Sequence, residues 1–221
     1  MKTMRYTIGR GMILALGIAI ACASGAEAGG RIQKDDIREI MRKTKALYGS
    51  TATAEVQFEQ SSGEGKAFGL LVFAGNDKFR LELPKQTIVN NGQKVWTYTP
   101  EKRQVVVSNA SRSAGRLTPG EILTAFPGDY ATALAGDATV NGRPVWVVRC
   151  TPGSGQKIGD VTMATLYIDK ATYRFQQVEI ESPSIGSVKL RITEARYGIK
   201  LSDGRFAFTP PEGVRVVDLS R

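Results

Sequence analysis

The sequence predicts an α+β domain built on one large antiparallel sheet, on three observations. Short apolar or alternating runs recur at intervals of about ten residues, separated by Gly, Asn, Asp and Pro. Few helical patterns come between them, which suits a meander of hairpins rather than βαβ units. One amphipathic helical stretch precedes the strands and needs an apolar surface to lie on.

The chain has 221 residues, and its first 28 have the form of a secretory signal. Lys2, Arg5 and Arg10 make a basic leader, Met12 to Ala23 an apolar core too short to span a bilayer, and Ala26-Glu27-Ala28 an A-x-A cleavage site. Two alternatives stand beside cleavage: retention as a membrane anchor, and lipid attachment through Cys22. For the second, Ala19-Ile20-Ala21 lacks the large aliphatic residue wanted before such a cysteine. Cleavage leaves residues 29–221 as a single domain with a sizeable core. It removes three basic residues and one acidic, so the formal charge falls from +9 to +7.

After Gly29-Gly30, the residues Ile37, Ile40, Met41, Thr44, Leu47 and Tyr48 share one face of a helix that ends at Gly49. Thr53 to Gln60 then alternates as a strand, and Ser61 to Gly65 is a loop. Ala67 to Phe73 is almost continuously apolar. Gly75-Asn76-Asp77 turns the chain into Lys78 to Leu83, where Phe79, Leu81 and Leu83 oppose Arg80 and Glu82. The stretch from Ile88 to Val107 is the clearest. Asn91-Gly92 supplies a tight hairpin turn, and Lys94, Trp96 and Tyr98 alternate with Val95 and Thr97. Thr99-Pro100-Glu101-Lys102 turns again before Val105 to Val107, a strand apolar on both faces.

The middle of the chain changes rhythm. Thr118-Pro119-Gly120-Glu121 is a capping box that opens a helix carrying Ile122, Leu123 and Phe126, and Pro127-Gly128 stops it. A second short helical piece is expected over Tyr130 to Leu134. Strands resume at Ala138 to Val140, turn at Asn141-Gly142, and continue through Pro144 to Cys150, Val161 to Ile168, Phe175 to Ser182 and Ser187 to Tyr197. Asp203-Gly204 leads into a last strand, Phe206 to Thr209, and Pro210-Pro211 ends the sheet. The count is ten or eleven strands with two or three helices.

Composition bounds the chemistry. With no histidine in the chain, Ser-His-Asp and Cys-His catalysis and His-ligated metals are excluded. No metal, cofactor or catalytic residue is expected. A carboxylate pair remains open, with Glu55 and Glu59 on one strand face, although alternating polar residues suit any half-exposed strand. The exported chain keeps one cysteine, Cys150, so no internal disulfide can hold it, and a buried structural thiol is expected. The basic residues are scattered, with few aromatics between them, which argues against nucleic acid and leaves an anionic membrane surface or plain solvation.

Two stretches carry a family resemblance. Val89 to Pro100, VNNGQKVWTYTP, resembles the V-x-(D/N)-G-x-x-x-W-x-Y-x-P segment of the outer-membrane lipoprotein carrier proteins, the LolA-like family. Asp203 to Asp218, DGRFAFTPPEGVRVVD, is similar to that family's F-x-F-x-P-P-x-G-V-x-V ending. The resemblance implies a half-open barrel of about eleven antiparallel strands, its concave face covered by helices, with an apolar cavity for acyl chains between them. It also implies a monomeric periplasmic carrier. Such a carrier receives acylated lipoproteins from an inner-membrane ABC transporter and passes them to an outer-membrane acceptor. The same fold also serves modules that bind or sense other envelope lipids and glycolipids. One position departs: where the family often has an Arg-Pro pair associated with closing the cavity, this chain has Gly75-Asn76.

For a cavity of that kind the strand faces offer Phe58, Phe68, Leu70, Val72, Phe79, Leu81, Leu83, Trp96 and Tyr98, with Ile122, Leu123 and Phe126 from the cover. An apolar stripe is more often plain core than pocket, and a face assigned one residue out inverts its strand.

Overall fold

The computed structural model describes residues 34–75, 77–110, 130–153 and 160–220. The signal segment, Asn76 and the expected helix with Ile122, Leu123 and Phe126 lie outside the described residues.

Helix α1 (Lys34–Ser50) buries the predicted stripe: Ile37, Ile40, Met41, Thr44 and Tyr48 are buried and Leu47 is half-buried. Its outer face is charged, with Glu39 bonded to Arg42 at 2.7 Å one turn on. That pair is exposed, and the Arg42 hydrogen bond holds the Glu39 carboxyl at about 2.

Twelve strands follow. They are β1 (Thr53–Ser62), β2 (Gly65–Ala74), β3 (Lys78–Leu83), β4 (Gln86–Asn91), β5 (Lys94–Thr99), β6 (Gln104–Asn109), β7 (Tyr130–Val140), β8 (Arg143–Pro152), β9 (Met163–Asp169), β10 (Phe175–Ser182), β11 (Gly186–Tyr197) and β12 (Arg215–Asp218). They form one open sheet in the order β12-β6-β5-β4-β3-β2-β1-β11-β10-β9-β8-β7. The fold is α+β, an open half-barrel. Two meanders, β1 to β6 and β7 to β11, are joined by the antiparallel pair β1–β11.

Local chemistry sets the turns. At Asn91-Gly92 the Asn90 side chain accepts from the Gly92 N–H at 2.8 Å, and the Asn91 side chain accepts from Gln93 and Lys94. Gly92 itself has φ +91, a conformation that costs glycine least. Pro100 opens the turn after β5, as expected of a residue with fixed φ and no donor.

Two expectations are corrected. Tyr130 to Leu134 is not helical but the first half of β7, paired with Val148 to Pro152 of β8. Its Ala and Thr residues suit either state locally, and the partner strand decides. Phe206 to Thr209 is not a strand either. Asp203–Phe206 forms a short 3-10 turn, and the chain passes Pro210-Pro211 before β12 joins β6 in parallel. Proline cannot serve a ladder, so the sheet resumes only once the prolines are past.

One face of the sheet carries α1 and is called inner below. Its β7–β11 half packs on the helix through Val148, Leu166, Ile168, Phe175, Val178 and Ile180, and its β1–β3 half forms a second cluster of Ala54, Val56, Phe73 and Phe79. Cys150 belongs to the first cluster and is fully buried, and burial pushes its thiol up to about 12. The thiolate is the reactive form, so Cys150 is inert while the chain is folded. At pH 8, maleimide should leave the Cys150 peptide unlabelled in native protein and label it fully in denaturant, as read by mass spectrometry. Rapid labelling of native protein would contradict this packing.

Candidate functional site

The two inner clusters share Ile192 and Tyr197, and where they meet the side chains leave a hollow of about 160 Å³. Tyr48 of α1 borders it. Val56, Phe58 and Gln60 come from β1, Leu71 and Phe73 from β2, Leu81 and Leu83 from β3, Phe175 and Val178 from β10, and Leu190, Ile192 and Tyr197 from β11. Strand pairing explains the convergence: Val56 lies opposite Leu71, Leu71 opposite Leu81, and Phe58 opposite Ile192. The lining is almost wholly apolar. Its size is that of the engineered cavities of about 150 Å³ that stay dry and take a benzene-sized guest.

At one end of the hollow, Tyr48 and Phe175 stack with ring centroids 4.8 Å apart, and the Phe175 N–H donates to the Tyr48 hydroxyl at 2.9 Å. Burial raises the Tyr48 phenol well above its ordinary range, so it stays protonated. Glycine at position 69 matters to the lining. Gly69 lies opposite Phe58, and a Cβ there would stand 2.3 Å from Cζ of Phe58 and 2.9 Å from Cδ2 of Leu83. The phenyl ring occupies the space a side chain would need.

Of the side chains expected to line a cavity, Phe58, Leu81 and Leu83 border the hollow, and Phe79 shares their face in the adjoining cluster. Phe68, Leu70 and Val72 point to the other face, since Leu71 and Phe73 point inwards. Phe68 is 69% exposed. Trp96 and Tyr98 are also outside: the inner positions of β5 are Val95 and Thr97, in line with Ile88 and Val106. The segment after β11 lies on this outer face, where Phe208 approaches Tyr98 with ring centroids 6.0 Å apart and Arg80 reaches the Ala207 carbonyl at 3.4 Å. Ile122, Leu123 and Phe126 lie outside the described residues.

Sequence reasoning missed Tyr48 of α1, Val56 and Gln60 of β1, Leu71 and Phe73 of β2, Phe175 and Val178 of β10, and Leu190, Ile192 and Tyr197 of β11. β10 and β11 alternate visibly, so their faces could be read. What could not be read was that β11 pairs with β1 and carries those faces to the same place.

The outer face shows why Glu55 and Glu59 are not a catalytic pair. Glu55 is bound by Arg196 and Arg205, and Glu59 by Lys66 at 3.2 Å and Arg191 at 2.8 Å. The hydrogen bonds from Lys66 and Arg191 lower the Glu59 carboxyl, the opposite of what a general acid needs. No group of three or more metal-ligating side chains occurs among the described residues.

The structure is thus an open half-barrel with an apolar hollow on its helix-bearing face, and Glu55 and Glu59 on its outer face are each engaged by basic side chains. No protein-family model matches the chain. A curated outer-membrane lipoprotein carrier protein of Neisseria gonorrhoeae (strain ATCC 700825 / FA 1090) is 28% identical over 214 residues, covering 90% of this chain and 92% of its own. Another of that name, from Chromobacterium violaceum, is 24% identical over 93% of this chain and 96% of its own. Among solved structures, an uncharacterized conserved protein from Thermus thermophilus shares the fold, with a TM-score of 0.56 at 16% identity over 82% of this chain and 98% of that one. Over most of its length the chain is therefore similar, at 24–28% identity, to curated proteins named outer-membrane lipoprotein carrier protein.

Proposed function

We propose that the protein is a periplasmic carrier that takes acyl chains of lipoproteins into the inner-face hollow and moves them towards the outer membrane. The observation that carries this reading is the hollow itself, an unfilled apolar space between a sheet and a helix in a chain homologous to named lipoprotein carriers. A plain core would close such a space, because each unfilled volume costs stability.

Magnitudes favour a carrier over a permanent store. A buried methylene contributes about 0.8 kcal/mol, so sixteen carbons amount to roughly 12 kcal/mol. Two or three chains fully buried would exceed the ceiling of about 20 kcal/mol for noncovalent binding. A hollow of about 160 Å³ admits only part of one chain, so the remainder requires a movable cover. Partial burial keeps the cargo releasable.

In this reading residues 1–28 direct export, residues 29–221 form the single lipid-binding domain, and the carrier works as a monomer between an inner-membrane transporter and an outer-membrane acceptor. The test uses a fluorescent acyl probe. The purified protein should bind it, and a triacylated lipopeptide should displace it while the same peptide without acyl chains does not. Failure of the probe to bind, or equal displacement by the bare peptide, would defeat the carrier reading.

A further inference from the structure

The sheet does not stay closed around the hollow. Strands β10 and β11 pair only from Gln177 opposite Arg191 to Ser182 opposite Gly186. Beyond that, β11 continues to Tyr197 along β1 alone, with an irregularity in register opposite Gln57 and Phe58. On its free side, the Asn141 amide donates to the Ile192 carbonyl at 2.8 Å where a strand would otherwise pair. The two strands therefore diverge, and a polar cleft opens between them. It is bordered by the β7–β8 turn, the β9–β10 turn and the last residues of β11. Phe175, Ile192 and Tyr197 border both this cleft and the apolar hollow, so the two spaces adjoin.

Arg174 stands in the cleft. The turn that presents it is fixed by Asp169, whose carboxylate accepts from the Ala171 and Thr172 N–H groups at 2.9 and 2.8 Å. The guanidinium lies over the Tyr197 ring, 3.7 Å from its centroid. One terminal nitrogen, Nη1, is shut away from solvent without a hydrogen-bond partner, and no ion pair occupies Arg174 among the described residues. Arg143 also borders the cleft, with Asp169 at 3.4 Å. The acid in the lining, Glu194, has Arg196 at 3.9 Å. A buried donor left unsatisfied is costly, and a guanidinium fork is shaped for a carboxylate or phosphate.

We propose that this split is a head-group site for an anionic lipid, one whose carboxylate or phosphate meets Arg174 while its hydrocarbon enters the hollow. The proposal rests on the hollow taking an acyl chain and adds which amphiphiles it prefers. Tyr197 serves both parts, holding the guanidinium on one side and bordering the tail space on the other.

The test compares palmitic acid with hexadecanol, which has the same tail and no charge, and lysophosphatidic acid with the matching monoacylglycerol. Binding is measured by calorimetry at pH 8. The expected result is at least tenfold tighter binding of an anionic amphiphile than of its neutral partner. Arg174→Gln should erase that preference without changing hexadecanol binding, and Arg174→Lys should keep part of it. Whichever anion is preferred identifies the source as carboxylate or phosphate. Equal binding of charged and neutral partners to the unaltered protein would overturn the head-group site and leave the hollow standing. Binding of none of the four would overturn both. A preference that survives Arg174→Gln would overturn the assignment to Arg174. Should either variant fail to fold, the unaltered protein decides alone: its preference for the fatty acid must vanish as pH falls through that acid's own titration.

Discussion

Replacing Phe175 by alanine should cost about 3–5 kcal/mol of folding stability, the range for removing a large aromatic from a packed interior. Phe175 is 1% exposed, stacks on Tyr48 and belongs to the cluster that joins α1 to the sheet. Its truncation removes the ring on which Tyr48, near the C-terminal end of the helix, is stacked. Tyr48→Phe should cost less, about 1–3 kcal/mol, because it keeps the ring stack and removes only the hydroxyl's hydrogen bonds with the Phe175 N–H and Tyr197. Urea unfolding should show both as lower midpoints with unchanged slope. Alkali should reproduce part of the effect. Burial raises the Tyr48 phenol above its ordinary 10.0, so the neutral form is favoured in the fold. Its contribution is complete below about pH 10 and disappears as pH rises through the raised native value. Tyr48→Phe should therefore flatten the alkaline fall in stability. A loss below about 1 kcal/mol in Phe175→Ala would mean that α1 is not held through this contact.

Much of this architecture was legible in the sequence because its signals are local. The stripe from Ile37 to Tyr48 can only be one face of a helix, and Asn91-Gly92 between alternating runs can only be a hairpin. Where both faces of a strand are apolar, local periodicity has nothing to decide with. From Ala67 to Phe73 either parity reads equally well, and Leu71 and Phe73, not Phe68, Leu70 and Val72, turned out to face inwards. Trp96 and Tyr98 misled for a related reason. Their aromatic character suits a lipid surface, yet it serves the outer face, where Phe208 lies against Tyr98. Sequence proximity gives no account of a tail returning from more than a hundred residues away. The parallel pairing of β12 with β6 is non-local in the same sense.

Gly69 is the residue through which the hollow can be filled without replacing a lining side chain. Gly69→Leu places a branched side chain where a Cβ alone already meets the Phe58 ring at 2.3 and 2.6 Å and Leu83 at 2.9 Å. Both neighbours border the hollow, so the displaced ring has that space to move into. The variant should fold at a cost of about 1–3 kcal/mol from overpacking. It should bind an acyl probe at least tenfold more weakly. Phe58→Ala does the reverse: it enlarges the hollow, lowers stability by about 3–5 kcal/mol and should leave the probe bound. The double variant separates these effects, because the leucine then enters the volume the ring has left. Its stability loss should be smaller than the two single losses added, since residues in contact couple. Probe binding should return to within a fewfold of the unaltered protein. If Gly69→Leu binds the probe as well as the unaltered chain while remaining folded, the acyl chain is held somewhere other than the space bounded by Phe58 and Leu83.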